Sequence, residues 1–319
     1  MYIFPEEEMA DEQLSLLPGS KEKDRSPGGL KATSPLSQAL EAFHEYMVSR
    51  DFTENTIKSF LSDLNITADY LGHNKPVGQI ATQDLNDFLD YLLHRRGKPC
   101  SPKSYARRVT ALKVFFAWLA KSKVIPTDPA APVVHRPARS PLPTILSDEQ
   151  VECLLEAARR LRDGEEADAR PYLLITLLLQ TGIKKSEAMN IRLRDIDLSD
   201  PQSPTLWVRY ANPRHQHKER KVKLPADFAA TLRQYREQYE PQEYLFTCTA
   251  RNLEYVLHRV AQLAGISGGI SFESLRWTCA VRDYRAGMAP EQLRQKLGVS
   301  PARWEEIQEI IKKLTQSPL

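Results

Sequence analysis

The chain has 319 residues, of which 41% are hydrophobic and 27% are charged, and its formal net charge is +3. This length is sufficient for two domains, and the apolar fraction is ordinary for a globular protein. The sequence has no run of eighteen apolar residues, and its N-terminus is acidic where a secretory signal would be basic, so we expect a cytoplasmic protein.

The cysteines and histidines do not indicate a metal site. The four cysteines are far apart in the sequence and form no Cys-x-x-Cys pair, which also argues against a disulfide framework. His215 and His217 lie two residues apart, but no third ligand accompanies them in the sequence, a pattern more typical of an exposed loop. We therefore expect neither a metal nor a cofactor.

Residues 1–33 contain too few apolar side chains to form a core, and we interpret them as a disordered tail. Their beginning is acidic, and the rest is rich in Lys, Ser, Gly and Pro. The acidic residues at the beginning are Glu6, Glu7, Glu8, Asp11 and Glu12.

Residues 34–130 have the spacing of a bundle of short amphipathic helices. The first helix is expected over 37–48, the second begins at the Thr53-x-x-Thr56 motif, and the third begins at Thr82. Pro102 in the first turn of a fourth helix suits that position. This helix is expected to bury Val109, Leu112, Phe115, Phe116, Trp118 and Leu119. Its opposite face is expected to present Lys103, Arg107, Arg108 and Lys113.

Residues 131–146 are rich in proline and lack periodicity, which indicates an extended linker between two domains. The linker carries Arg136 and Arg139, which would suit a path along a phosphate backbone. From Ser101 to Ser140 there are eight Lys and Arg residues against one acid. This local basicity suits either a polyanion or a solvated helix face, and charge alone does not decide between them.

Residues 147–319 form the predicted second domain, which begins with a capping box of Ser147 and Gln150. The apolar run at 173–179 predicts a short helix buried on all sides. Strands expected over 205–210 and 221–224 flank a cationic turn and form a small β-hairpin. Further helices are expected over 226–239, 249–264, 290–297 and 301–314, with another that follows 271–278 and ends at Gly287.

A glycine break after the buried helix is followed by basic residues and a new helix start. Gly182 readily takes the left-handed conformation that ends a helix, and Ser186 is expected to open the next helix with Glu187 in its first turn. This arrangement would hold the charge of Lys184 rigidly beside a helix N-terminus, which suits an anion such as a phosphate.

The order of these segments resembles the tyrosine recombinase family, which includes phage integrases and Xer-type recombinases. The resemblance covers roughly residues 34–310, and the joint order of its motifs is more specific than any one of them. The strongest motifs are LLLQTGIKKSEAMNIRLRDID at 177–197, His217-Lys-Glu-Arg220, and Leu275-Arg-x-Thr278 followed by Gly287 and Leu297-Gly298.

The resemblance implies a mainly α fold with two domains. These are an N-terminal SAM-like helical bundle that binds DNA and a C-terminal, α-rich, catalytic-type domain with a small antiparallel β-sheet. In the family, two arginines, a lysine and two histidines or close substitutes surround one phosphodiester, which a tyrosine attacks. Fixed cations there neutralise the charge that develops on the phosphate.

At the matching positions, this chain keeps only part of the cationic site. The family's first arginine falls on Lys184, which retains the charge but loses the guanidinium fork, and its hairpin lysine falls on His215. The His-x-x-Arg motif falls on Glu273 to Arg276, so the arginine is kept while the histidine is replaced by a carboxylate. We expect Glu273 to neutralise Arg276 or Lys184 through an ion pair.

The nucleophile is also missing from its position. The family's tyrosine falls on Gln308, and the second histidine falls on Val299, which cannot form a hydrogen bond. No tyrosine occurs from Arg285 to the end of the sequence, and Tyr284 is expected to pack in the core. Loss of the nucleophile removes the covalent route.

These departures predict a DNA-binding homologue that is catalytically inactive and clamps duplex DNA in an accessory or regulatory role in recombination or integration. Two alternatives remain open: an active site-specific recombinase with an atypical or partner-supplied nucleophile, and a protein-interaction module that keeps only the fold. Expected partners are duplex DNA and either an active recombinase or a second copy of the chain bound through the C-terminal helices. The residues expected to contact DNA are Lys103, Arg107, Arg108, Lys113, Arg136, Arg139, Arg214, Lys218 and Arg220.

Overall fold

The computed structural model describes residues 29–98, 100–134, 141–200 and 202–316, apart from the side chain of Arg214. The chain divides into two units, one ending at residue 140 and the other beginning at residue 141. Both are mainly helical, and the second contains a small antiparallel sheet, which confirms the predicted fold class. No helix in the described part is long and apolar enough to span a lipid bilayer.

The first unit is a helical bundle around one apolar core. Thr53 caps the second helix by accepting a hydrogen bond from the backbone N–H of Thr56, and Pro102 lies in the first turn of the fourth. The six side chains predicted to face inward from the fourth helix are all buried. The helices are α1 (Leu36–Ser49), α2 (Glu54–Leu71), α3 (Thr82–His94) and α4 (Pro102–Lys121), with a 3-10 turn over Val77–Gln79.

The ends of the predicted tail and linker are part of the two units. Leu30 packs against the first core, so this unit begins earlier than residue 34, while residues 1–28 lie outside the described residues. Val133 is buried in the same core. Leu146 is buried in the second unit, where its backbone N–H donates to the Thr278 hydroxyl at 3.0 Å. Arg136 and Arg139 lie outside the described residues.

The second unit is built around α6 (Ala169–Thr181), whose apolar side chains are buried on all sides as predicted. It packs against α5 (Asp148–Asp163), α8 (Phe228–Tyr239) and α10 (Phe272–Arg285). The capping box before α5 is formed in both directions, because the Ser147 hydroxyl and the Gln150 carbonyl oxygen each accept a backbone N–H. The remaining helices are α7 (Lys185–Met189), α9 (Ala250–Leu263), α11 (Pro290–Leu297) and α12 (Pro301–Gln316).

The sheet has three antiparallel strands in the order β1 (Ile196–Asp197), β2 (Thr205–Val208) and β3 (Arg220–Lys223). The register places Trp207 opposite Lys221. The sequence predicted the hairpin but missed β1, because two residues carry no alternation to detect. The first hairpin strand ends two residues earlier than predicted, and the predicted turn contains a 3-10 helix over Pro213–Lys218.

The helix after the glycine break starts earlier than the sequence indicates. The expectation that Ser186 opens it was wrong, because α7 begins at Lys185 with Lys184 as the N-cap. The Glu187 carboxylate, rather than a serine hydroxyl, accepts the backbone N–H of Lys184 at 2.7 Å. The end of α6 is as predicted: Gly182 has the left-handed conformation with φ of 59°.

We predict that Gly182→Ala lowers the free energy of unfolding by about 2–3 kcal/mol, measured by urea denaturation. A Cβ atom at Gly182 would lie 3.1 Å from Cys279 Sγ and 3.0 Å from Leu297 Cδ2, in addition to the strain of a positive φ. Gly265→Ala is the control, because Gly265 also has a positive φ but nothing lies within 4 Å of its Cβ position. Equal losses for the two variants would contradict a packing role for Gly182.

Candidate functional site

Glu187 lies at the centre of the candidate site. Its side chain is 1% exposed and binds the Arg220 guanidinium through both carboxylate oxygens, at 3.1 and 3.0 Å. The Tyr210 hydroxyl donates to the same carboxylate, as does the backbone N–H of Lys184. A carboxylate that accepts this many hydrogen bonds is stabilised in its charged form.

The pKa values in this network follow from those contacts. Burial acts to raise the pKa of Glu187, but the hydrogen bonds and charge of Arg220 outweigh it and hold the pKa at about 2. Burial, together with the hydrogen bond to the Glu187 carboxylate, raises the pKa of Tyr210 to about 12. Glu187 is therefore charged and Tyr210 is neutral throughout the physiological range.

Arg220 joins the hairpin to the end of α11. Its side chain is 8% exposed, and its Nε donates to the carbonyl oxygen of Lys296 at 2.7 Å. Gly298 leaves room for it, since a Cβ atom at that position would lie 2.7 Å from Arg220 Cζ. The prediction that Arg220 contacts DNA needs correction: the guanidinium is buried because Glu187, distant in sequence, supplies its counter-charge.

Arg276 connects two helix ends within the second unit. Its guanidinium donates to the carbonyl oxygen of Gly182, which ends α6, and to that of Leu297 at 2.7 Å, at the end of α11. Burial lowers the pKa of Arg276, while the charge of Glu187 acts to raise it. Arg276 thus lies beside the glycine turn, where the sequence predicted it to act with Lys184.

Lys184 is half-buried beside these groups. Burial lowers its pKa to about 8, and the positive charges of Arg276, Lys218 and Arg220 act in the same direction against the opposing charge of Glu187. Lys184 therefore lies among three other cations, with Glu187 as the carboxylate that acts on it. Such an excess of buried positive charge is stabilised when an anion binds.

His215 and Lys218 lie at the edge of this group. The His215 ring is half-buried, with its centre 5.8 Å from the centre of the Tyr210 ring. Lys218 is also half-buried, and its backbone oxygen accepts a hydrogen bond from Arg220 at 3.2 Å. The side chain of Arg214 lies outside the described residues. The hairpin thus brings the residue at the family's lysine position close to Tyr210 and the buried pair.

Glu273 is exposed in the first turn of α10. A different carboxylate, Glu187, has a charge that acts on both Lys184 and Arg276. Glu273 lies one helical turn before Arg276 on the same face of α10, so its ion pair with Arg276 or Lys184 stays a prediction.

The two remaining family positions lie in or near a small apolar cluster of α10, α11 and α12. Val299 packs against this cluster, and so does Tyr284, which confirms the prediction of core packing for that tyrosine. Gln308 is half-buried on α12. Among the described residues, no group of three or more His, Cys, Asp or Glu side chains is placed to hold a metal ion.

In the first unit, Asp63 on α2 binds two of the arginines assigned to DNA contact. Arg107 forms a bidentate pair with it at 2.6 and 2.9 Å, and Arg108 Nε lies 3.2 Å from the same carboxylate. The placement of Arg108 on the open face was wrong, because it follows Tyr105 at helical spacing and is buried with it. Arg107 keeps 45% of its side chain exposed.

The other basic residues of α4 differ in exposure. Lys103 is exposed, and Lys113 is half-buried, where its charge acts on Asp128.

The sequence did not predict the partners of the buried arginine pairs. These partners are Asp63, which binds Arg107 and Arg108, and Glu187, which binds Arg220. Their signal was weak, because the arginine that each carboxylate binds is 44 or 33 residues away in the sequence.

Sequence profiles of known families match most of the chain. The profile described as the phage integrase family matches residues 144–303. The profile described as the phage integrase N-terminal SAM-like domain matches residues 39–125. Together they cover the helical bundle of the first unit and most of the second.

Curated relatives match over most of their length. A tyrosine recombinase of Thermosipho africanus is 26% identical over 271 residues, which cover 82% of this chain and 91% of that protein. The tyrosine recombinase XerC of Staphylococcus epidermidis is 26% identical over 263 residues, which cover 79% of this chain and 84% of that protein.

Solved structures show the same fold. A lambda integrase dimer bound to a COC′ core site matches with a TM-score of 0.68 and 18% identity, covering 98% of this chain and 87% of that one. The XerH recombinase bound to a palindromic difH substrate in a post-cleavage complex matches with a TM-score of 0.65 and 19% identity, covering 89% and 94%. At these identities the likeness establishes the fold.

We predict that Glu187→Gln lowers the free energy of unfolding by about 3–5 kcal/mol at pH 7, because it leaves Arg220 buried without a counter-charge. Since the folded pKa of Glu187, about 2, lies below the ordinary 4.5, the wild-type advantage is complete above pH 4.5 and declines as pH falls towards 2. Urea denaturation of both proteins across this range measures the difference.

Glu254→Gln is the control for this prediction, because Glu254 forms an ion pair with Lys185 at 2.8 Å in which both side chains are about half exposed. Its loss is expected to change stability by less than about 1 kcal/mol. A similar effect for the two substitutions would contradict the central role of Glu187.

Proposed function

Because the chain belongs to the phage integrase (tyrosine recombinase) family, we propose that it binds duplex DNA without cleaving it, as an accessory or regulatory protein in recombination or integration. The relatives are named tyrosine recombinases, and both structural neighbours described above were solved bound to their DNA sites. The proposal places this activity in the cytoplasm. The proposal combines duplex DNA, the substrate class of the family, with a site in which Gln308 and Val299 stand at positions where the family reaction uses a tyrosine and a histidine.

The observation that carries DNA binding is the group of cations around Lys184. Lys184 feels the positive charges of Arg276, Lys218 and Arg220 and the negative charge of Glu187, and burial together with the repulsion by these cations lowers its pKa to about 8. A phosphate group beside Lys184 would reverse that repulsion and favour the ammonium form. The site therefore suits a DNA phosphate as its ligand.

The absence of cleavage is supported by the positions that the family reaction uses. Gln308 stands at the nucleophile position, and an amide does not form the covalent phosphate ester that a tyrosine does. Val299 packs with apolar side chains and offers no hydrogen bond to a leaving oxygen. The Arg276 guanidinium already donates to two backbone carbonyl groups, which leaves fewer of its donors for a transition state.

We propose that both units contribute to binding, as a clamp. In the first unit, Lys103 and the exposed part of Arg107 are the proposed phosphate contacts, whereas Arg108 is held by Asp63. In the second unit, Lys184 and Lys218 are the proposed contacts. Such binding depends mainly on neutralised phosphates, so its affinity falls steeply with salt.

A partner is part of this proposal. An accessory role requires association with an active recombinase or with a second copy, and the C-terminal helices α11 and α12 are the proposed surface. If the partner instead supplied a nucleophile, the two proteins would associate through the same surface, but a covalent protein–DNA product would form. The assay for covalent adducts below separates these two.

We predict that affinity for a short DNA duplex falls about tenfold between pH 7 and pH 9, because Lys184 loses its proton through a pKa of about 8 in the free protein. Fluorescence anisotropy at constant ionic strength measures it. Lys184→Arg is the matched control, since its guanidinium stays charged and its binding is expected to vary little over this range. Lys184→Met is expected to bind weakly at both values. If the affinity of the wild-type protein varied with pH as that of Lys184→Met does, Lys184 would not be part of the DNA interface.

We predict that no covalent adduct forms on a nicked suicide substrate, a duplex from which a cleaved strand end diffuses away. The protein is expected to shift the duplex in a native gel while leaving no adduct resistant to denaturing detergent. An active tyrosine recombinase on its own site serves as the positive control. An adduct formed by this chain alone would overturn the proposal of inactivity.

A further inference from the structure

The outer face of the three-stranded sheet carries a second group of cations. This outer sheet face consists of Trp207 with Arg194, Arg209, Lys221 and Lys223, all of them exposed. Together with Asp195, Asp197 and Thr205, most of these residues line an open cavity of about 280 Å³. The cavity lies on the side of the sheet opposite the buried Leu206, Val208 and Val222.

Trp207 is the centre of this face. It remains 37% exposed, and the Arg209 guanidinium lies 4.4 Å from the centre of its ring, with the Lys221 ammonium at 5.0 Å. The strand register explains both contacts, since Lys221 is directly opposite Trp207 and Arg209 follows two residues later on the same side. A large aromatic ring that remains partly exposed beside two cations is typical of a binding surface.

The charge of the face is positive. Asp195 pairs with Arg209 at 3.0 Å, and Asp197 lies on the edge strand β1, so four cations face two carboxylates. A ligand for this face should therefore combine negative charge with an apolar side chain that contacts Trp207.

We propose that the acidic N-terminal segment of the chain, residues 1–17, docks on the outer sheet face and competes with DNA. The segment reads MYIFPEEEMADEQLSLL, with five acids, no Lys or Arg, and aromatic side chains at Tyr2 and Phe4 immediately before the acids. Its carboxylates match the cations of the face, and its aromatic or aliphatic side chains match Trp207.

A nucleic acid strand is a weaker match for the same face. Bases stack on free aromatic faces, whereas two cations already lie over the Trp207 ring. An apolar peptide side chain needs only the part of the ring that is left exposed. The tether also favours the segment, because residues 1–28 extended would span up to about 90 Å and act at an effective concentration that a free ligand seldom reaches.

Competition follows from the position of strand β3. The strand runs from Arg220, which binds Glu187, to Lys223 on the outer sheet face, and Lys218 lies two residues before its start. A segment docked along Lys221 and Lys223 would lie next to the proposed phosphate contacts. This competition rests on the proposed function, whereas the docking itself does not.

The first experiment is a double-mutant cycle in the full-length chain, with DNA affinity measured by anisotropy at 50 mM and 200 mM salt. The tail variant carries Glu6→Gln, Glu7→Gln, Glu8→Gln, Asp11→Asn and Glu12→Gln. We expect both the tail variant and Trp207→Ala to raise DNA affinity, Trp207→Ala by about fivefold at low salt, with a smaller gain at high salt. Trp207→Ala in the tail variant is expected to add nothing.

The Trp207 substitution is decisive because it changes no charge. Neutralising five acids alone would raise DNA affinity through long-range attraction even without docking. Unchanged affinity of Trp207→Ala in the wild-type background would therefore overturn the proposal. Lower affinity in both backgrounds would overturn it as well and would assign the face to nucleic acid. The control is Tyr255→Ala on α9, another exposed aromatic with an arginine, Arg251, over its ring, for which no change is expected.

The second experiment keeps docking testable if DNA binding is absent. A fluorescent peptide of residues 1–17 is titrated into the tail variant, and we expect saturable, salt-sensitive binding that Trp207→Ala weakens at least fivefold. Trp207→Phe should retain most of the binding, which separates loss of the aromatic contact from misfolding. Equal peptide binding by the tail variant with and without Trp207→Ala would overturn docking on this face, whatever the outcome with DNA.

Discussion

The second unit depends on the neutralisation of Arg220 by Glu187. Both side chains are almost fully buried, and each would destabilise the fold without the other, because an unpaired charge in a protein interior costs several kcal/mol. The pair links α7 to the sheet, and Arg220 extends the link to the end of α11 through a backbone carbonyl group. The Glu187–Arg220 pair thereby positions the hairpin. Glu187 also binds the Tyr210 hydroxyl and the Lys184 backbone N–H, which follows the glycine turn.

The same pair determines what the cationic site can do. The Arg220 guanidinium binds the buried Glu187 carboxylate and so stabilises the fold. The Arg276 donors that bind backbone carbonyl oxygens stabilise it as well. Positive charge remains in excess around Lys184, whose pKa of about 8 reflects burial and repulsion by its neighbours. A site of this kind favours an anion at equilibrium, whereas catalysis of phosphoryl transfer requires a nucleophile and donors aimed at the transition state. Binding without cleavage, as we propose, is consistent with this division.

The first unit repeats the arrangement with different residues. Asp63 lies almost completely buried between Arg107 and Arg108, so one carboxylate again neutralises arginines whose sequence positions suggest a nucleic acid contact. Arg108 thereby becomes part of the core, while Arg107 keeps part of its surface in solvent. In both units, the number of basic residues in a segment overstates the positive charge that is available to a ligand, because some of it is neutralised inside the protein.

The sequence by itself determined most of the helices, the caps at Thr53 and Ser147 and the buried run of α6, because these depend on local spacing and on neighbouring side chains. It also determined the family and the absence of a tyrosine near Gln308, since both are read from residues in order. Only the tertiary structure decided which carboxylate binds which cation. Glu187 acts on Lys184 and Arg276, and Asp63 pairs with the buried Arg108. Those pairings join residues that are tens of positions apart, and their energy depends on burial, which no local pattern specifies.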